Sequence, residues 1–342
     1  MLNSVFGAMS SDMAIDMGTY QTRILVGGRS GLVCAPSAVA IFHDRSGDRH
    51  IMAVGEEAWS MLGRTPGDVS VVRPLRDGLI TEFDVAEALL RHQMVAVQGR
   101  RLWVGPRVAM CIPYGTTEVE KRAVRELAEA AGARTVHLIE QPLAAAAGAG
   151  LPIEEACGQM VVDVGAGHTQ IAVISLGGIV YSRAVKVGGD HMDSAIIRHL
   201  ESHHGITVGT ATAQRLKEQL GTALPQSNQK RADVRGRDVD SGFPRAVSVA
   251  QVDVGAALAE SVQLIVEAVL SSMEHTPPDL AADIAGTGIV LAGGVAQLDG
   301  LDRAIGHATG LPVVSAEDPA CATVRGAAMA LQNQALLRAA AG

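Results

Sequence analysis

The chain has 342 residues, of which 48% are hydrophobic and 19% charged; this exceeds what one core accommodates and is too apolar for disorder, so two lobes are expected. Lys and Arg number 28 against 36 Asp and Glu, and the aromatics are only four Phe, three Tyr and two Trp. An acidic chain with so little stacking surface is not expected to take nucleic acid as a partner.

The four cysteines, Cys34, Cys111, Cys157 and Cys321, show no paired spacing, which fits a reducing cytoplasm. The eleven histidines are scattered, and neither HExxH nor a calcium-loop spacing occurs, so no structural metal is expected. The longest uncharged stretch, 164–182, is broken by glycines and by His168, Thr169 and Gln170, which does not suit a bilayer span.

In chain order, Met1, Leu2, Val5, Phe6 and Met9 fall on one helical face, as in an interfacial amphipathic helix; a tail docked on the core has the same pattern. Residues 14–26, AIDMGTYQTRILV, read as an apolar strand, a tight Asp-x-Gly turn and a second strand. The segment 142–150, PLAAAAGAG, is a small-residue helix, either a hinge between lobes or a tightly packed core helix. Residues 161–173, VVDVGAGHTQIAV, repeat the first hairpin without gaps, with Asp, Gly, Thr, Ile and Val coinciding. The stretch 224–245 shows neither helical nor strand period and reads as an exposed loop. Residues 288–296 read as a buried strand ending in Gly293-Gly294 and then a helix, a geometry for close backbone approach to a ligand and equally a plain βα turn. A second small-residue helix, 325–330, resembles the first in character.

A single Asp-x-Gly is ordinary turn chemistry. Two copies a domain's length apart predict a duplicated α/β domain whose turns face each other across a cleft, each aiming backbone N–H groups at one polyphosphate. Asp16 and Asp163 would then face phosphate directly, and a Mg²⁺ ion, with its waters retained, is needed between them. No Walker A sequence occurs, so this is a nucleotide site without a P-loop.

With these motifs the chain resembles the actin, Hsp70 and sugar-kinase superfamily, and within it the MreB family of bacterial actins. The resemblance runs collinearly through AIDMGT, MLGRTPGDVSVVRPLRDGLI, CIPYGTTEVEKRAV, the block AAGAGLPIEEACGQMVVDVGAGHTQIAVISLGGIVYS, VGGDHMDSAII, PPDLAADIAGTGIVLAGG and TGLPVVSAEDP. It implies the duplicated actin-like (ribonuclease H-like) α/β fold, two lobes each with a core and an inserted subdomain around a nucleotide cleft. Subdomain IA is expected at 12–32, 72–145 and 320–342, IB at 33–71, IIA at 146–184 and 250–319, and IIB at 185–249, with 1–11 an amphipathic segment. The cofactors implied are ATP, with GTP the alternative, and Mg²⁺. The partners implied are further copies of the chain in paired protofilaments, the lipid of the inner membrane face and membrane proteins of cell-wall elongation; the location implied is cytoplasmic, peripheral on that membrane.

The resemblance also assigns residues. Asp16, Gly18, Thr19, Tyr20, Gln21 and Thr22 form the first phosphate loop, and Asp163, Gly165, Ala166, Gly167, His168 and Thr169 the second. Gly189, Gln214, Lys217, Gly293, Gly294 and Val295 stand on the nucleoside side, and Asp16 and Asp163 hold the metal through water. Lys217 without the family would read as a solvated helix charge. Leu102 and Trp103, flanked by Arg100, Arg101 and Arg107, match the family's membrane-inserting loop, although a strand-edge core residue fits too. The helix starting near Thr117 matches the region where family protofilaments pair, while its charges, Glu118 with Arg122 among them, suit a solvated face.

Several positions depart from the family pattern. Gln141 replaces the acid that activates or positions the attacking water; it cannot take a proton but can orient a water. His168 replaces a threonine, and acts either as a base near its ordinary pKa of about 6.5 or as a phosphate partner. Tyr20 and Gln21 replace a small residue and Asn, Val295 replaces a third glycine, and Gln170 and Gln214 stand in place of acids. The catalytic set is therefore Gln141, Asp163, His168 and Thr169. Three functions remain open: a filament ATPase with slow turnover, a nucleotide-dependent scaffold with little hydrolysis, and a phosphotransferase of the same superfamily.

Overall fold

The computed structural model describes residues 12–27, 31–98, 105–224 and 230–333. The chain divides into two units: one takes in the described residues up to 156, 174–179 and those from 321, the other 157–173 and 180–320.

In the first unit the strand Met13–Met17 is buried at every position, as expected of a strand covered on both faces. It pairs antiparallel with Gln21–Val26, Asp16 opposite Arg23, and parallel with Arg107–Ile112. The sheet order is Thr135–Glu140, Arg107–Ile112, Met13–Met17, Gln21–Val26, Leu32–Pro36. The core under it gathers Met13, Ile15, Ile24, Leu89, Leu90, Met110 and Leu127.

The second unit repeats this order. Its sheet runs Val313–Ser315, Ile289–Ala292, Gln159–Val164, Thr169–Ser175, Gly178–Val185, and the pairs 159–164 with 289–292 and 289–292 with 313–315 are parallel. The expected hairpins 14–26 and 161–173 occupy the same place in the two sheets, so the duplication is one of fold.

Two expectations change, and a third is decided between its alternatives. The stretch 224–245 is not a loop throughout: Arg231–Asp238 and Pro244–Ala250 form an antiparallel hairpin, closed onto Ile206–Thr207. RADVRG does alternate polar and apolar, but Ala232 and Gly236 are too small to make the period conspicuous, and only Val234 of that strand is fully buried. The helix Glu118–Ala130 starts at Thr117, whose hydroxyl accepts from the Glu120 N–H while Glu120 accepts from the Thr117 N–H. Its Glu118 pairs with Lys121, one residue short of Arg122, and Arg122 pairs with Glu126. The small-residue helices Gln141–Gly148 and Ala322–Gln332 belong to one unit and pack on each other.

The helix Gln251–Glu274 is long and apolar enough to cross a membrane. In the second unit it buries Val254, Leu258, Val262, Ile265 and Val269 in the main core, the i, i+4 stripe of an amphipathic core helix.

Candidate functional site

In the first unit the turn between Met13–Met17 and Gln21–Val26 is closed by the Gly18 N–H donating to the Gln21 carbonyl at 3.0 Å. A Cβ on Gly18 would sit 2.7 Å from that carbonyl oxygen, which is why the turn requires glycine there. Ser37 Oγ donates to the Gly18 carbonyl at 2.7 Å and lies 2.9 Å from Thr22 Oγ1. Its one proton being spent on Gly18, the Thr22 hydroxyl is the donor to Ser37, and both flanks of the turn are latched. Tyr20 meets Trp59 edge-on, ring centroids 5.1 Å apart.

Asp16 ends the buried strand, 7% exposed, and burial pushes its carboxyl up; the Arg23 charge and a hydrogen bond from Gln141 only partly oppose this. Gln141 Nε2 donates to Asp16 Oδ1 at 3.3 Å, so the residue expected to position water sits against the residue expected to hold the metal shell. A buried carboxylate with one neutral donor is under-compensated, which is the chemistry a Mg²⁺ ion or its water would satisfy. The donor set fits the cation.

In the second unit the Gly165 N–H donates to the His168 carbonyl at 3.0 Å, the same closure as Gly18 to Gln21. Thr169, the counterpart of Thr22, is fully buried and its hydroxyl donates to the Val187 carbonyl at 2.7 Å. That hydroxyl is committed to holding the turn. The helix Gly189–His204 begins on this loop, the Gly189 and Asp190 N–H groups donating to the Gly165 and Ala166 carbonyls.

Gly189 is the point of convergence. A Cβ there would lie 3.1 Å from Lys217 Nζ, 3.3 Å from Val295 Cγ2 and 3.5 Å from Ala166 Cα, so four residues assigned from separate segments are in fact neighbours. Lys217 is no solvated charge: Nζ pairs with Asp193 Oδ1 at 2.8 Å and donates to the Gly189 carbonyl at 2.8 Å. Gly293 has φ +85, and a Cβ on it would come within 2.5 Å of Asp163 Oδ1 and 2.3 Å of the Val164 carbonyl. Only glycine admits the end of Ile289–Ala292 so close to Asp163. After it Gly294–Gln297 forms a 3₁₀ turn, where the sequence predicted a helix. Gln214 Nε2 donates to Glu218 Oε1 at 2.8 Å, one turn along the helix Thr210–Leu220.

A family model described as MreB/Mbl protein matches residues 10–339. The chain belongs to the MreB/Mbl family. It is 46% identical to the cell shape-determining protein MreB of Escherichia coli strain K12, over 97% of this chain and 96% of that one. It is 40% identical to the Mbl protein of Bacillus subtilis strain 168, over 94% and 96%. Among solved structures, MreB5 of Spiroplasma citri bound to AMPPNP matches with TM-score 0.88 and 32% identity, covering 94% of this chain and 96% of that one. A MamK double helical filament shares the fold, with TM-score 0.79 at 21% identity. The fold of this MreB/Mbl chain is therefore the actin-like one, with two five-stranded sheets.

Sequence reading missed Asp193, Ser37 and Gly188. Asp193 carried a signal: it is a lone acid on the stripe Met192, Ile196, Leu200, and an acid on an apolar face needs a buried cation. Gly188 is held against the Gly165 and Ala166 carbonyls, 2.6 Å from either for an added Cβ. Ser37 had no sequence signal. The residues expected to meet the membrane, Leu2, Val5, Phe6, Leu102 and Trp103, lie outside the described residues.

Proposed function

We propose that this chain binds ATP with Mg²⁺, polymerises with copies of itself into paired protofilaments peripheral on the inner face of the plasma membrane, and organises cell-wall synthesis and rod shape with membrane proteins of wall elongation. GTP is the alternative nucleotide. The observation that carries the reading is the twin turn: the same glycine closure, and a buried threonine at the matching position latched to a different partner, follow Asp16 and Asp163 in the two units.

Asp16 and Asp163 hold the metal through water, and Gly18 to Gln21 and Gly165 to His168 offer backbone N–H groups to phosphate. Lys217, Gly189 and the Gly293–Val295 turn take the nucleoside side. When bound, Mg²⁺ would supply charge neutralisation at the phosphates. Gln141 orients a water by donating and accepting, and Thr22 and Thr169 act as positioning residues. The four-subdomain division, IA at 12–32, 72–145 and 320–342, IB at 33–71, IIA at 146–184 and 250–319 and IIB at 185–249, belongs to this proposal. So do membrane contacts through Leu2, Val5, Phe6, Leu102 and Trp103.

A second reading, a nucleotide-dependent scaffold with little hydrolysis, is favoured by the neutral amide of Gln141 where a base would stand. The purified chain with ATP and Mg²⁺ on lipid should form filaments by electron microscopy and release phosphate slowly after assembly. Absence of ATP-dependent filaments sinks the first reading; filaments whose phosphate release equals that of an Asp163→Ala control establish the second.

A further inference from the structure

Away from the nucleotide residues, the second unit carries a histidine and acid cluster on two different helices. The run HLESHH closes the helix Gly189–His204, and Asp253 lies in the first turn of Gln251–Glu274. One ligand atom each from His199, His204 and Asp253 lies within 4.8 Å of the other two, the only such group among the described residues. All three are half-buried.

His204 Nε2 and Asp253 Oδ2 face each other at 3.4 Å. That is longer than the about 2.7–3.2 Å of an N–H to O hydrogen bond and close to the about 3.3 Å edge of a tetrahedron of ligands standing about 2.0 Å from a zinc ion. Asp253 is held in place because its Oδ2 accepts the Ala250 N–H at 2.9 Å. Neither ring nitrogen of His199 has a hydrogen bond among the described residues; its ring is fixed by stacking on His203, centroids 4.1 Å apart. His203 itself is turned aside, Nδ1 bonded to Ser202 Oγ at 2.8 Å. The cluster also stands at the carboxyl end of its helix, just before the left-handed cap Gly205, where the backbone dipole favours a cation.

We propose that His199, His204 and Asp253 form a binding site for a borderline divalent cation of the zinc class, two imidazoles and one carboxylate with a fourth position left to water. Two nitrogens and one oxygen suit zinc, or cobalt as its spectroscopic substitute, and are a poor match for Mg²⁺, which takes oxygen ligands in an octahedron. Bound there, the ion ties the carboxyl end of Gly189–His204 to the amino end of Gln251–Glu274.

The test uses the tag-free full chain dialysed against zinc chloride with millimolar Mg²⁺ present and nucleotide absent, followed by metal analysis and a thermal melt. One zinc per chain and a rise in Tm reversed by chelator are expected. Cobalt should give the intense visible bands of a four-coordinate site. His204→Gln and Asp253→Asn, which keep hydrogen-bonding capacity, should each weaken zinc binding at least about tenfold. The double variant His43→Gln with His50→Gln, which alters exposed histidines bonded to Ser70 and Asp44, should bind as the parent does. If zinc is not retained, or if it is retained equally by His204→Gln, Asp253→Asn and His199→Gln, the proposal is wrong.

Discussion

Gln141 Nε2 donates its hydrogen bond to the buried carboxylate of Asp16 at 3.3 Å, joining the start of one helix to the end of the central strand. The two residues are 8% and 7% exposed, so neither is shielded from the other by solvent.

Asp16 destabilises the nucleotide-free fold. Burial raises its pKa above the ordinary 3.8, so between those values the folded chain binds more protons than the unfolded one. Stability falls as pH climbs through that window, and above the folded pKa the penalty stays constant. Asp16→Asn should therefore be more stable than the parent at neutral pH in urea unfolding, with the difference closing as pH drops toward about 4. The same variant should bind Mg-ATP at least about tenfold more weakly, about 1.4 kcal/mol. Equal stability of both proteins across the range refutes the assignment.

Gln141→Glu replaces a donor with a second carboxylate beside Asp16. Unfolding of the ligand-free protein should be easier by about 1–3 kcal/mol at neutral pH, the cost of a lost buried bond plus like charge. In a double-mutant cycle with Asp16→Asn most of that loss should vanish. With Mg-ATP and filaments present, phosphate release should rise roughly tenfold or more, since a general base is supplied. An additive cycle shows that the two side chains do not interact.

Lys217 and Asp193 form an ion pair whose side chains are only 14% and 5% exposed. Asp193→Ala strands the ammonium, and the expected loss is about 3 kcal/mol in chemical denaturation. The pair replacement Lys217→Met with Asp193→Leu should recover much of that stability yet fail to restore nucleotide affinity. Full recovery of affinity by the apolar pair removes Lys217 from the nucleotide set.

Gly148 and Gly326 let two helices touch backbone to backbone: a Cβ on Gly148 would sit 1.8 Å from the Ala322 carbonyl, and one on Gly326 1.8 Å from the Ala144 carbonyl. Gly326→Ala should cost about 3 kcal/mol, at the upper end of overpacking, because the obstacle is main chain rather than a mobile side chain. Gly286→Ala, whose added Cβ meets nothing within 4 Å in an exposed helix position, is the control. A melt of Gly326→Ala within a degree of the control contradicts the packing.

The repeat of AIDMGTYQT in VVDVGAGHT was readable because Asp, Gly and Thr each do a job that few other residues can: end a strand, close a tight turn, latch it from beneath. The hairpin 231–250 was not readable because Ala232 and Gly236 carry too little apolar surface to reveal a strand period. Glu118 chose Lys121 over Arg122 because both spacings face the same side of a helix and side-chain reach selects between them.

By itself the sequence determined the twin turns, the duplicated α/β fold and the family, since these rest on local turn chemistry and repeated motifs. Only the tertiary structure decided that Asp193 neutralises Lys217, that Gly189 gathers Ala166, Lys217 and Val295, and that Gln141 lies on Asp16. Those pairs join residues from separate elements, and which distant side chains meet is set by packing of the whole core, which no local pattern encodes.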